Sequence, residues 1–177
     1  NLVRDKLFLK IAIILLLLAL IANGIFRSMS IKVVVSPPHI EKEFWVSSAS
    51  ASKEFIEQMG LCFIHFALDL NPQNVDRFIS YVIRNLRGPK AGQIAFSLKE
   101  DGAYLKKNKI YQTFYPKEMF VKGNTFVVCG NIVRNIAGRE VEEKVAYKIV
   151  FRIKNYRAYI VDFTRCDFKQ ELRSPAS

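Results

Sequence analysis

A chain of 177 residues, half of them hydrophobic and 24% charged, is long enough for one compact domain plus an appendage. Its net charge of +11 is compatible with anionic headgroups, acidic protein surfaces or nucleic acid, and does not choose among them. The cysteines Cys62, Cys129 and Cys166 stand apart with no CxxC pair and no clustered His, which argues against metal and thiol redox sites, so neither metal nor cofactor is expected. Cys62 and Cys129 have apolar neighbours, and three free, buried thiols are expected.

The first element spans Leu7 to Phe26, with nine Leu or Ile between Ile11 and Ile21 and with Lys10 and Asn23 as its strongly polar residues. Twenty helical residues cover roughly 30 Å, the hydrocarbon thickness of a bilayer. A membrane anchor is expected, held by Leu7, Ile11, Ile14, Leu18, Ile21 and Phe26. A cleaved secretory signal is the competing reading, since Arg4, Lys6 and Ala22-Asn23-Gly24 resemble its flanks. The expected arrangement is an uncleaved anchor with a cytoplasmic N-terminus, although the flanking basic residues differ by one charge only.

Residues 31–51 read as an extended arm stiffened by Pro37-Pro38, carrying Phe44 and Trp45 and ending in SSASAS. From Ser52 the spacing becomes helical, and Phe55, Met59, Cys62, Phe63, Phe66 and Leu70 form the stripe expected to face the core. Leu61, Ile64 and Leu68 add a second apolar side, which predicts burial all round or contact with a partner. Asn71-Pro72 reads as the start of a second helix, faced by Val75, Phe78, Ile79, Val82 and Leu86 and stopped by Gly88-Pro89. A third helix is expected over Gly92 to Lys107.

Beyond Lys109 the period is two, broken at Gly123-Asn124, Gly138-Arg139 and Asn155-Tyr156, which predicts a four-stranded antiparallel meander. The fold class is therefore α+β, with three helices on one face of a curved sheet. The expected boundaries are an anchor at 1–30, an arm at 31–51, the domain at 52–169 and a frayed tail at 170–177.

No phosphate loop, HExxH, GxSxG or two-carboxylate spacing is present. His39 and His65 have no adjacent carboxylate or nucleophile and read as ordinary surface or interface residues. Alternation with Tyr159, Val161 and Phe163 sets Asp162 on the face away from any pocket. Lys144, Lys148 and Arg152 read as a solvated strand face, so no specific nucleic-acid site is expected.

The order of these features resembles a family. The V-x-P-P arm (Val35, Pro37, Pro38), Phe44-Trp45, F-I-E-Q-M from Phe55 to Met59 and N-P-x-N-V from Asn71 to Val75 are similar to the TraE proteins of conjugative type IV secretion systems. So are Tyr111, Phe114, Tyr115 and Pro116, followed by Val121 to Asn124. The resemblance implies a single-pass protein of the bacterial inner membrane. Its periplasmic domain would have the cone-shaped fold of nuclear transport factor two. It further implies a non-catalytic scaffold that oligomerises and contacts other subunits of the secretion machine. On that reading Phe44, Trp45, Leu61, Ile64 and Leu68 are the candidate partner contacts, and burial of Trp45 by an arm folded back as a strand is the alternative. A membrane-tethered enzyme or small-ligand binder using the pocket of the same fold is the second functional reading.

Overall fold

The computed structural model describes residue 10 and residues 12–21, 33–35 and 44–173. It divides into two units, Asn1–Val33 and Val34–Ser177. In the first, helix α1 covers residues 12–21, and every one of its side chains is exposed. Among the described residues no helix is long and apolar enough to cross a membrane. Of the expected anchor residues, Ile14, Leu18 and Ile21 lie on α1, whereas Leu7, Ile11 and Phe26 lie outside the described residues.

The second unit runs β2 (Phe44–Val46), α2 (Lys53–Leu68), α3 (Val75–Arg84), α4 (Ala91–Lys107), β3 (Tyr111–Lys122), β4 (Thr125–Ile136), β5 (Arg139–Lys154), β6 (Arg157–Arg165) and α5 (Phe168–Arg173). A short strand β1 (Val33–Val35) pairs with β2. The stretch read as the end of an arm is part of this unit. Ser52 N donates to Trp45 O at 2.9 Å, Asn155 N donates to Ser48 O at 2.9 Å, and Phe44 and Val46 are buried. Ser52 is the N-cap of α2, its hydroxyl accepting from Phe55 N at 3.2 Å.

The strands pair antiparallel in the order β3-β4-β5-β6, the expected meander. Two of its hairpin turns have positive φ at both central residues, Ala137-Gly138 and Asn155-Tyr156, as the twist of adjacent strands requires. Bulges interrupt β3 between Pro116 and Glu118 and the β5–β6 ladder at Val150/Phe151, and each bends its strand. Each outer edge is engaged at one residue by the backbone of a helix-connecting segment. Leu70 and Gln112 exchange backbone hydrogen bonds of 3.0 and 2.8 Å on β3, while Arg87 N donates to Ile160 O and Ile160 N to Asn85 O on β6.

The core lies between the helices and one sheet face, built from Ile56, Phe63, Ile64, Val75, Val82, Phe114, Phe126, Ile132, Ile149 and Ile160. The buried side of α2 is Ile56, Gly60, Phe63, Ile64, Ala67 and Leu68, so it is rotated from the stripe that periodicity selects. Phe55, Met59 and Phe66 flank the core half-buried. The reason is Gly60, where a Cβ would stand 2.3 Å from Phe126 Cγ: the helix meets the sheet at a residue that hydrophobic periodicity does not count.

Two helix limits differ from expectation. Asn71 Oδ1 accepts from Gln73 N and Asn74 N at 2.9 Å each, which closes a turn, and α3 starts only at Val75. At its other end α3 stops at Arg84, because the backbone around Leu86 joins the edge of β6 before Gly88 is reached. Of the stretch read as a frayed tail, residues 170–173 belong to a helix and residues 174–177 lie outside the described residues. Helix α5 reaches Arg173, with Phe168 against Phe120 at 5.2 Å and Glu171 paired to Lys148 at 2.6 Å. It lies over Val127 and Cys129, which alternate with the core residues Phe126 and Val128 and so belong to the opposite sheet face.

Candidate functional site

A cavity of about 740 Å³ lies between α4, the C-terminal end of α2 and the sheet. Its floor is apolar, formed by Leu68, Ile94, Leu98, Leu105 and Ile110. Helix α4 presents Ile94, Leu98 and Leu105 on one side, and it approaches α3 through Gly102, where a Cβ would stand 2.3 Å from Ile79 Cδ1.

The rim is polar and connected. Gln112 and Arg134 are register partners across β3 and β4. Gln112 Nε2 donates to Leu68 O at 2.8 Å, and its Oε1 accepts from Arg134 Nε at 2.8 Å. Arg134 Nη1 donates to Glu143 Oε2 at 2.9 Å, and Arg165 Nη2 donates to Glu143 Oε1 at 2.6 Å. Hydrogen bonding from Arg165, supported by Arg134, holds the Glu143 carboxyl below its usual range, although its partial burial opposes the shift. Tyr147 stacks on Phe163 at 5.2 Å and lies under the Arg165 guanidinium at 5.8 Å. Burial raises the Tyr147 phenol above its usual range, so it is a neutral donor.

At the other end of the rim Lys90 Nζ is 2.9 Å from Asp162 Oδ2, and Asp162 Oδ1 is buried without a hydrogen-bond partner among the described residues. This corrects the reading of Asp162 as remote from the pocket. That reading took Tyr159, Val161 and Phe163 as the inward side, whereas Ala158 and Ile160 are the buried residues of β6; across the bulge Phe163 joins Ile160 on the core side, and Asp162 borders the cavity. His65 is exposed and paired with Asp69 on the same helix. Among the described residues no group of three or more His, Cys, Asp or Glu is placed to hold a metal.

The candidate contact residues separate into two groups. Phe44, Ile64 and Leu68 are core residues, at 8%, 0% and 5% exposure, and present no surface to a partner. Trp45 and Leu61 are half-buried. Both apolar sides of α2 are therefore largely used within the chain: Phe66 alone packs on Phe78 and Tyr81 at 4.9 and 4.4 Å.

The family model described as TraE protein matches residues 1–165. The chain belongs to the TraE family. A curated relative, Protein TraE of Salmonella typhi, is 28% identical over 101 residues, 57% of this chain and 52% of the relative. The chain thus spans about half the length of the TraE relative it matches. A solved structure named Rd1NTF2_05_I64F_A80G_T94P_D101K_L106W is similar with a TM-score of 0.42 at 18% identity, covering 62% of this chain and 97% of that one.

In this TraE chain Pro37 and Pro38 lie outside the described residues, and several of the described residues that carry the family resemblance do structural work. Asn71 and Asn74 bond each other's backbone in the turn before α3, Phe55 packs on Phe44 at 5.7 Å, and Pro116 stands at the bulge of β3. The cavity-lining Arg134 and Arg165, and Glu143, which pairs with both, were not singled out by sequence reasoning. The signal for Arg134 and Glu143 is parity: Arg134 alternates with Ile132 and Glu143 with Val145, which puts charged residues on an otherwise apolar strand face.

Proposed function

We propose that this chain is a non-catalytic scaffold subunit of a conjugative type IV secretion machine. It is tethered to the bacterial inner membrane by residues 7–26, with its C-terminal domain in the periplasm. The observation that carries this reading is the family match over residues 1–165, which includes the apolar N-terminal segment together with the folded domain. The uninterrupted exposure of Ile13 to Leu18 on α1, each more than half exposed, supports lipid as the surroundings of that segment. We read the helix-on-sheet unit as the cone-shaped fold of nuclear transport factor two.

The scaffold works as an oligomer and through contacts with other inner-membrane subunits. Because Phe44, Ile64 and Leu68 are core, the contact surface is assigned to Trp45 and Leu61 together with the exposed β3 aromatics Tyr111 and Tyr115. The cavity with its polar rim supports a second reading, a small-ligand binder on the same domain.

Alkaline carbonate extraction of cells making the full chain tests the tether. The chain is expected in the membrane pellet, and a Leu16→Asp, Leu17→Asp double variant is expected in the supernatant. Release of the unaltered chain into the supernatant would overturn the tethered reading.

A further inference from the structure

The scaffold role uses neither the floor nor the rim of the cavity, yet the two are chemically matched to one kind of ligand. Leu68, Ile94, Leu98, Leu105 and Ile110 offer an apolar bed with few groups to satisfy. At one end of the rim two guanidiniums, Arg134 and Arg165, share the single carboxylate of Glu143, whose two oxygens are both engaged. Two cations against one anion leave a net positive charge there. Arg134 uses Nε on Gln112 and Nη1 on Glu143, which leaves Nη2 as an uncommitted donor among the described residues. At the other end Lys90 already neutralises Asp162, and the remaining rim carboxylate, Asp101, is exposed to water. Arg165 and Asp162 are three residues apart on β6, about 10 Å along a strand, so the two ends are electrostatically distinct.

We propose that this cavity binds a small amphipathic monocarboxylate, its carboxylate held by Arg134 and Arg165 and its apolar body lying along the α4 floor. A carboxylate fits paired N–H donors of a guanidinium and removes the excess positive charge at that end of the rim. An amine of the same size meets that excess charge directly. The proposal rests on the second reading above, that the cavity takes a ligand, and is independent of the scaffold role.

Isothermal titration of the full chain in phosphatidylcholine nanodiscs, with empty discs subtracted, tests it with octanoate, octanol and octylamine. Octanoate is expected to bind saturably, with octanol and octylamine at least about tenfold weaker. Arg165→Gln, at an exposed rim position, is expected to weaken octanoate about tenfold and leave octanol unchanged. Leu98→Trp fills the floor and removes octanoate binding. Should that variant not fold, as read by its melting curve, the three-ligand comparison and Arg165→Gln decide. Octylamine binding more tightly than octanoate, or Arg165→Gln binding octanoate like the unaltered chain, overturns the ligand class. Failure of all three to bind beyond empty discs overturns the reading of the cavity as a ligand site.

Discussion

Gly60 decides how α2 sits on the sheet, since its missing side chain is occupied by the ring of Phe126. Gly60→Ala is expected to lower stability by about 1–3 kcal/mol, the usual cost of overpacking, and thermal melting measures it. Gly92→Ala is the control: no atom lies within 4 Å of a Cβ there, and replacing a helical glycine should be neutral or stabilising. At Glu143 the prediction concerns pH. Its carboxyl titrates below the ordinary value of 4.5, so its contribution is present above that value and is lost as pH falls through the lower folded value. The difference in melting temperature between the unaltered chain and Glu143→Gln should therefore be largest near neutrality and shrink below about pH 4.5. Burial, reinforced by the nearby Glu171 carboxylate, pushes the Cys166 thiol up to about 11, and burial raises Cys62 as well. Alkylation of Cys166 in the native chain near pH 8 should be on the order of a hundredfold slower than in the unfolded chain, by mass spectrometry of timed samples.

The strands were legible element by element because alternation and turn chemistry agree: Val145, Ile149, Phe151 and Ile153 are buried on one side of β5, and positive-φ pairs close two of the hairpins. What alternation cannot register is a bulge. One inserted residue near Val161 puts both Ile160 and Phe163 on the core side, three residues apart, so alternation misassigns the inward residues of β6 and with them the cavity position of Asp162. Helix α5 escaped for a different reason. Six residues give too short a period to read, and its cue lies elsewhere, in Val127 and Cys129, which make both faces of β4 apolar. Removing residues 168–177 should uncover that face. Cys129, 6% exposed beneath α5, is then expected to alkylate in the folded chain, whereas with α5 present it should stay protected. Continued protection after truncation would mean that α5 is not its cover.

For the whole molecule, the α+β class and the order of elements followed from the sequence, because three amphipathic stretches precede four alternating ones. The surface did not follow. Periodicity finds apolar sides of a helix but not how many neighbours surround it, and α2 is enclosed by β2, α3 and the sheet, which absorbs Phe44, Ile64 and Leu68 into the core. The cavity rim was hidden for a related reason: Gln112, Arg134, Glu143 and Arg165 come from four strands and meet only through register. In the proposed function the chain works by contact, as a member of a membrane assembly. The most direct test is native electrophoresis of the mildly solubilised full chain from cells carrying the remaining conjugation machinery. Migration in a complex many times the mass of one copy and containing other machinery subunits is expected, lost on Trp45→Ala while the melting temperature of the variant is retained. A species of single-copy mass in cells that transfer DNA normally would contradict that function.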